Sequence, residues 1–237
     1  MNGEGQVSTR GEWPGLVTLR AGWWKGVARP RHDHTLDAVL RLERSSSDFV
    51  RRCTTWLADH GAATVDSPPL MHGSARVFQQ AGFSPYAELL LFERDLRDRL
   101  PTPADVRDAT EGDRIAAARI DDAAFDGDWR VGRLGLADAL DATPHSVMLF
   151  HGSGAGFVIA GVSHEIGYLQ RIAVDPSHQG QGYGRALVQA AMAWARSRGA
   201  RTMMLNTQID NERATQMYRS ESFVALPSRL VIHRHQA

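Results

Sequence analysis

A run of glycines between a strand and a helix is the feature that most restricts how this chain can fold. An apolar segment ends at Val174, and Gly180, Gly182 and Gly184 then lead into an amphipathic helix that continues to about Arg198. Glycines let a backbone turn tightly and approach a ligand closely. The amides of a first helical turn have no acceptor within the helix and attract anions. The segment therefore predicts a cradle for an anionic group such as a pyrophosphate.

Two common nucleotide-binding loops do not fit this spacing. No Gly-Lys-Ser/Thr follows the glycines, as a Walker loop requires, and the spacing Gly180-x-Gly182-x-Gly184 differs from the G-x-G-x-x-G of a dinucleotide fold. Arg185 could add a charged donor to the cradle. In isolation, a tight strand-to-helix turn without a ligand stays an alternative interpretation.

A second segment lies after the next predicted strand. Asn211 has the residue type of a helix N-cap, and Tyr218 follows it by seven residues, two turns on and on nearly the same helix face. A phenol at that position can donate a proton to a departing thiolate. Taken alone, the segment is equally explained by a cap at Asn211 and packing of Tyr218.

The C-terminal half has the pattern of alternating helices and strands, in the order ααβββαβαβ. This predicts a mixed α/β sheet with helices packed on it. The charged stretch around Pro101 and Pro103 interrupts regular structure. We therefore expect one domain over residues 1–100 and a second over residues 103–237.

The N-terminal half is less regular. We expect a strand or hairpin over residues 16–28, a helix over 48–60 that starts at Asp48, a helix over 73–80 and a strand over 87–92. The helix-then-strand order at the end of this half is matched at the end of the other, which favours an internal repeat over coincidence. His233 and His235, near the C-terminus, are expected in an exposed tail.

Charge and cysteine content exclude several classes of function. The formal net charge is +0, so no overall field recruits nucleic acid or an anionic membrane. Cys53 is the one cysteine, which rules out an internal disulfide and metal sites of the CxxC kind. No apolar run approaches the ~20 residues of a membrane helix, and no signal peptide is evident. We expect a cytoplasmic protein with no metal, no nucleic-acid partner and no membrane partner.

Two smaller features have plain explanations. Lys25 is the only lysine among the 27 basic residues, for which codon bias is a simpler explanation than a preference for bidentate anion binding. The pair Trp23-Trp24 is more typical of a core or an interface than of stacking on bases.

The two segments together resemble the GNAT superfamily of N-acetyltransferases. The coenzyme A loop of that family reads Gln/Arg-x-x-Gly-x-Gly/Ala, which Gln179, Gly182 and Gly184 match. Its later pattern, Asn-x-x-Ala-x-x-x-Tyr-x-x-x-Gly-Phe, is matched by Asn211, Ala214, Tyr218 and Phe223, whereas Ser222 stands where glycine is usual. The resemblance covers residues 103–237 and implies a GNAT-like acyl-CoA N-acyltransferase fold.

The resemblance also implies the substrates and the site. Acetyl-CoA would serve as cosubstrate and an amine as acceptor, with direct attack of the amine on the thioester. Tyr218 would protonate the leaving thiolate, and Glu165, with His164 beside it, is the nearest titratable candidate for a base. A water chain without a dedicated base is the alternative. The residues expected to bind coenzyme A are Ile172, Ala173, Val174, Gln179, Gly180, Gln181, Gly182, Tyr183, Gly184, Arg185, Asn211, Ala214 and Tyr218.

The N-terminal half resembles a reduced copy of the same fold. The segment HGSARVFQQAGF is similar to the last helix and Gly-Phe turn of the family, but no glycine loop precedes it. Such a half would have lost coenzyme A binding and would complete a sheet, wall the substrate cleft or form a homodimer. Two other functions stay open at this point. One is a non-catalytic acyl-CoA-binding or protein-interaction module, and the other is an enzyme that binds ATP or NAD.

Overall fold

A computed structural model describes residues 7–101 and 105–237 of the chain. The chain divides into two compact units. Unit 1 comprises Met1–Leu89 and Ser228–Ala237, and unit 2 comprises Leu90–Pro227. Among the described residues, none of the helices is both long enough and apolar enough to cross a membrane.

Unit 1 is a sheet with two helices. Its strands are β1 (Ser8–Arg10), β2 (Val17–Ala21), β3 (Trp24–Pro30), β4 (Ala38–Arg44), β5 (Thr64–Asp66) and β6 (Leu70–Met71), and its helices are α1 (Ser47–Asp59) and α2 (Arg76–Gln80). Strands β1 to β4 pair antiparallel in chain order, and β4 pairs parallel with β5. Apolar residues at alternate strand positions and on one face of α1 form its core.

Unit 2 has a sheet with helices on both faces. Its elements are β8 (Val106–Asp108), α3 (Asp113–Ala124), α4 (Gly132–Asp141), β9 (His145–His151), β10 (Gly156–Ser163), β11 (Ile166–Val174), α5 (Tyr183–Ser197), β12 (Thr202–Gln208) and α6 (Glu212–Ser220). Helix α5 covers one face in a core with Val158 and Leu169. Helices α3 and α4 cover the other in a core with Phe157 and Ile159. This mixed α/β sheet confirms the predicted fold class.

Two long strands supply residues to both units. These are β7 (Ser84–Asp95), divided after Leu89, and β13 (Val224–Gln236), divided after Pro227. The division therefore differs from the expected one at Pro101 and Pro103, and Pro103 itself lies outside the described residues. Strand β7 continues across the division without a break. Phe92 in the second part of the strand, and Leu96 just after its end, are buried in the core of unit 2.

The order of elements repeats along the chain. Unit 1 runs β1, β2, β3, β4, α1, β5, β6, α2, β7, and unit 2 runs β8, β9, β10, β11, α5, β12, α6, β13, so the two orders differ only by the two-residue β6 in unit 1 and by α3 and α4, inserted after β8 in unit 2. In each unit the fourth strand pairs parallel with the strand that follows the long helix. The internal repeat predicted from the sequence is thus present in the order and pairing of the elements.

Three local expectations differ from the structure. Helix α1 is capped by Ser46, whose side chain accepts from the backbone N–H of Phe49 at 3.2 Å, so Asp48 lies inside the first turn rather than at the cap. The helix expected over 73–80 is a 3₁₀ turn followed by the short α2. His233 is 1% exposed rather than in an exposed tail, because β13 continues to Gln236 and pairs with β5.

Candidate active site

The sheet of unit 2 opens between two parallel strands. Strand β11 pairs with β12 from Ile166 to Leu169, and the pairing ends there although β11 continues to Val174. A β-bulge at Gln170 shifts the register of β11 on β10 at this same point. Beyond it, the edge of β11 that faces β12 has lost its neighbouring strand. An open strand edge presents backbone N–H and C=O groups that an extended ligand can pair with.

The glycine loop lies at the end of that edge. Gly180 and Gly182 have φ of +83° and +88°, a conformation that glycine adopts without the steric cost of a side chain. Gly182 is the N-cap of α5, and its side is open: a Cβ built there meets nothing within 4 Å. The first amides of α5 therefore face solvent beside exposed backbone, as an anion cradle requires. This is the location predicted from the sequence.

Gln179 braces the loop rather than pointing outward. Its Nε2 donates to the carbonyl oxygen of Val174 at 3.1 Å, and its Oε1 accepts from Nη1 of Arg213 at 2.5 Å. The bond to Val174 fixes the loop against the open end of β11. The bond to Arg213 places an exposed guanidinium beside Gly180, so a positive charge from α6 faces the loop. Sequence reasoning missed Arg213, although its place two residues after the cap of α6 was a usable signal.

Arg185 does not have the role expected of it. Its Nε lies 3.0 Å from Oε1 of Glu221, and its Nη2 donates to Ser220 at 3.1 Å. Glu221 is 7% exposed, and a buried carboxylate requires such partners. The guanidinium is therefore turned toward the end of α6 rather than toward the cradle.

Aromatic rings support the first turn of α5. Tyr183 stacks on His151 with ring centroids 3.8 Å apart, and the ring centroid of His178 lies 6.1 Å from that of Tyr183. Gly184 lets α5 approach α6, because a Cβ there would lie 3.2 Å from Sδ of Met217. Gln181 is exposed at the loop's surface. These contacts hold the cradle's backbone in place.

The second motif forms the start and body of α6. The side chain of Asn211 accepts from the backbone N–H of Ala214 at 3.1 Å and donates to Oε1 of Gln208 at 3.2 Å. Asn211 therefore acts as the N-cap that its residue type predicts. This cap sets where α6 begins and hence which way Tyr218 faces.

Tyr218 is buried in the core that α5 shares with the sheet of unit 2. It is 3% exposed and packs against the rings of Phe92 and Phe223, with centroids 6.0 and 5.9 Å away. Burial raises the pKa of its phenol, and the charge of Arg171 on β11 opposes that shift in part. The phenol therefore stays protonated at neutral pH and can act only as a hydrogen-bond donor or acid there.

The α3 side of β11 carries a buried ion pair. Nε of Arg171 lies 2.6 Å from Oδ1 of Asp121, which is 0% exposed, and its Nη2 donates to the carbonyl of Trp129 at 2.8 Å. The other carboxylate oxygen of Asp121 accepts from the backbone N–H of Val131 at 3.0 Å. The guanidinium also lies 3.7 Å above the ring of Phe125. These contacts tie the segment between α3 and α4 to β11, beside the opening.

Glu165 lies at the wrong end of β11 for a base. It precedes the strand, about 16 Å along the chain from Gln170 at 3.3 Å per residue. Its side chain is 61% exposed and pairs with Nη2 of Arg201 at 3.0 Å. His164 adopts a positive φ in the same turn. Because β11 stays paired with β12 from Ile166 to Leu169, the opening begins beyond both residues.

Ser222 occupies the position where the sequence pattern has glycine, and its φ is +63°. A residue other than glycine in this conformation costs about 1–2 kcal/mol of folding free energy. Glycine would avoid this cost, but part of the gain would be lost because glycine increases the conformational entropy of the unfolded chain. We expect Ser222→Gly to raise the free energy of unfolding by roughly 0.5–1 kcal/mol, measured by urea denaturation. A destabilised variant would show that the Ser222 side chain makes an unrecognised stabilising contact.

Unit 1 has no counterpart of the cradle. Between β4 and α1, where every residue is described, the chain passes through Ser45 and Ser46 alone. In unit 2 the corresponding connection spans residues 175–182. The cap by Ser46 also occupies an amide of the first turn of α1. The absence of coenzyme A binding in this half stays a prediction, which the short connection is consistent with.

Comparison with known proteins agrees with this geometry. Residues 115–223 match the family model described as Acetyltransferase (GNAT) family. Mycothiol acetyltransferase of Rhodococcus erythropolis is 32% identical over 106 residues, which is 45% of this chain and 35% of that protein. The [Ribosomal protein bS18]-alanine N-acetyltransferase of Escherichia coli is 37% identical over 73 residues, 31% of this chain and 49% of that one. The matches thus span half or less of these curated relatives.

Solved structures share the fold over nearly the whole chain. A GCN5-related N-acetyltransferase from Sphaerobacter thermophilus has a TM-score of 0.56 at 18% identity, covering 94% of this chain and 81% of that one. A tandem GNAT protein from the clavulanic acid biosynthesis pathway has a TM-score of 0.57 at 13% identity, covering 93% and 82%. The second likeness extends the fold to unit 1. The segment 115–223, which contains the cradle and Tyr218, is thus similar to the acetyltransferases of the GNAT family.

Proposed function

We propose that unit 2 transfers an acetyl group from acetyl-CoA to an amine by direct attack. The observation that carries this proposal is the open edge of β11, which leads into the cradle at the N-terminus of α5 with Tyr218 buried beside it. A fold used only for interaction has no need of all three in one place.

The residues present suit three parts of acetyl-CoA: the pyrophosphate, the pantetheine arm and the thioester. The amides of the first turn of α5 and the guanidinium of Arg213 would hold the pyrophosphate. The open edge of β11 beyond Leu169 would pair with the amides of the pantetheine arm, as an added strand does. Ala173 would take part through its backbone alone, since its side chain is buried in the core under α3 and α4. Acetyl-CoA supplies the thioester carbonyl that the amine attacks.

Tyr218 holds a proton where the sulfur departs. Alkyl thiols titrate near the ~8.5 of cysteine, whereas burial keeps the pKa of this phenol above its ordinary value. Complete transfer of its proton to a thiolate is therefore uphill. We infer that the phenol keeps its proton and stabilises the developing charge on sulfur by a hydrogen bond, and that the departing thiolate takes its proton from solvent.

The amine loses its proton to water rather than to a dedicated base. Gln170 and Asn206, at the start of the opening on the two strands, carry amides that do not titrate, and the guanidinium of Arg171 is held by Asp121. Glu165 precedes β11 and pairs with Arg201, and it is too distant from the opening to act as the base. The rate should accordingly rise with pH as the free amine accumulates.

A Gly182→Glu variant tests the cradle. A Cβ at this position would meet nothing within 4 Å, whereas the new carboxylate would repel a pyrophosphate. Like charges brought together cost several kcal/mol, so we expect the Kd for acetyl-CoA to rise about 100-fold or more. Gly182→Ala is the matched control, because it imposes the same backbone strain without the charge and should weaken binding far less. Equal affinities in both variants would place the anion elsewhere.

Release of free thiol from acetyl-CoA, followed across a panel of amines, tests the reaction. The panel includes a peptide that begins with alanine, after the acceptor in the name of the Escherichia coli relative. Thiol release that depends on one amine and falls in Gly182→Glu supports transfer. Tight acetyl-CoA binding with no thiol release for any amine would instead support the non-catalytic module. Binding of ATP or NAD in preference to acetyl-CoA would contradict both.

A further inference from the structure

Gln170 is the extra residue of the β-bulge in β11, and no residue of β10 pairs with it. A bulge changes the direction in which the side chains of a strand point. The side chain of Gln170 contacts Thr143, which follows α4, and the next side chain, that of Arg171, contacts Asp121 of α3. Two consecutive side chains therefore lie on the face covered by α3 and α4, whereas in a regular strand they would lie on opposite faces.

The contact with Thr143 fixes the orientation of the Gln170 amide. Oγ1 of Thr143 donates its hydrogen to the carbonyl oxygen of His145 at 2.9 Å. Because a hydroxyl has one hydrogen, Oγ1 can only accept from Gln170, so the group that lies 3.3 Å from it is the amide nitrogen Nε2. Gly161 leaves the space for this contact, since a Cβ there would lie 2.5 Å from Nε2. The amide oxygen Oε1 therefore points away from Thr143.

The amide oxygen of Gln170 has no protein partner. Oε1 is buried, and it makes no hydrogen bond with any other described residue of the chain. A buried polar atom without a partner costs folding free energy, so in native proteins such an atom commonly binds an ordered water or has a role in function. The side chain as a whole is only partly buried. Oε1 is thus a hydrogen-bond acceptor that the fold itself does not use.

Gln170 is also the first residue of the open edge of β11. Pairing with β12 ends at Leu169, and the open edge leads from there to the cradle at the N-terminus of α5. In the proposed function, the pyrophosphate of acetyl-CoA binds at the cradle and the pantetheine arm lies along the open edge. The thioester would then lie at the end of the edge where Gln170 is, and an attacking amine would approach beside this side chain.

We propose that Gln170 positions the acceptor amine by accepting one of its N–H groups at Oε1, an inference that rests on the proposed function of unit 2. The hydrogen bond turns the lone pair of the nitrogen toward the thioester carbonyl carbon. As the C–N bond forms, the nitrogen becomes positively charged and its N–H donates more strongly to Oε1. The nitrogen then gives one proton to water, the C–S bond breaks, and the thiolate takes a proton from solvent.

The same contact selects the class of acceptor. An amide oxygen accepts a hydrogen bond but does not act as a base at ordinary pH. A neutral amine can attack before it loses a proton, whereas a hydroxyl group needs a base to become a good nucleophile. Gln170 therefore suits an amine acceptor and does not suit an alcohol.

Gln170→Leu tests the proposal, because it removes the oxygen and keeps a side chain of similar size. With the amine that gives the fastest thiol release, we expect kcat/KM for the amine to fall about 10- to 100-fold, as for loss of one hydrogen bond to a charged group. The Kd for acetyl-CoA should not change. Isothermal titration of the same amine into protein saturated with coenzyme A should also show weaker binding in the variant.

Two further variants make the test specific. Gln80→Leu makes the same chemical change at an exposed amide of α2 in unit 1 and should change none of these values. Gln170→Glu keeps an oxygen acceptor and should retain more activity than Gln170→Leu. Its carboxylate can also take the proton of the amine, so its rate should rise less steeply with pH than that of the wild type.

The melting temperature separates positioning of the amine from a structural role. Removal of a buried oxygen without a partner should not lower the melting temperature of Gln170→Leu. The proposal is overturned if this variant keeps the wild-type kcat/KM for the amine, in which case the proposed function still stands. It is also overturned if the melting temperature and the affinity for acetyl-CoA fall together with kcat/KM, because Gln170 would then only hold the bulge. If the wild type releases no thiol with any amine, the proposed function fails, and this inference fails with it.

Discussion

Replacing Tyr218 by Phe is expected to lower kcat by about 10²- to 10⁴-fold, the range for loss of one proton donor. The ring would keep its contacts with Phe92 and Phe223, because only the hydroxyl is removed. Stability and the Kd for acetyl-CoA should therefore change little. Initial rates under saturating acetyl-CoA, together with a binding isotherm, separate the two effects.

The pH dependence gives the same claim a second test. Burial raises the pKa of Tyr218 above its ordinary value near ~10, so the phenol should not lose its proton at lower pH. We expect kcat of the wild type to rise with pH up to pH ~10. A decrease in kcat within that range that disappears in Tyr218→Phe is not expected. Tyr86→Phe, at an exposed tyrosine in unit 1, is the matched control and should keep full activity. A Tyr218→Phe enzyme as active as that control would remove the phenol from the mechanism.

Replacing Asp121 by Ala is expected to cost about 3–5 kcal/mol of folding free energy. The substitution leaves the guanidinium of Arg171, only 14% exposed, without its carboxylate, and breaking one partner of a buried ion pair costs this much. The backbone N–H of Val131 also loses its acceptor. Thermal and urea denaturation measure the loss, and the segment from Phe125 to Val131 should exchange its amide hydrogens faster.

Glu165→Gln is the matched control for Asp121→Ala. It breaks an ion pair of similar length, that of Glu165 with Arg201 at 3.0 Å, but both side chains are more than 60% exposed. Exposed pairs contribute about 0–1 kcal/mol. The same variant should keep full activity, since Glu165 lies far from the opening. Equal destabilisation by the two variants would contradict the structural role of Asp121, and loss of activity in Glu165→Gln would restore that residue as a base.

Local patterns predicted much of unit 2 because its elements are strongly periodic. The expected order ααβββαβαβ is the one found from α3 to β13. The cradle was also predictable, since glycines at fixed spacing before a helix encode its backbone. The signal for each of these features lies within a short stretch of chain.

What the sequence did not predict depends on partners distant in the chain. Arg185 was expected at the cradle but pairs with Glu221, 36 residues later. Arg171 is held by Asp121, 50 residues earlier. Strand β4 was missed, since Arg41, Glu43 and Arg44 interrupt its apolar pattern. Glu165 was expected as a candidate base, but its distance from the opening depends on where β11 and β12 part.

The stoichiometry of acetyl-CoA binding to the full chain tests the central claim most directly. Unit 2 carries a glycine cradle beside an open strand edge, whereas the connection in unit 1 is too short for one. Isothermal titration should therefore give one site per chain, absent in Gly182→Glu. Two sites per chain, or a site that survives Gly182→Glu, would contradict the account.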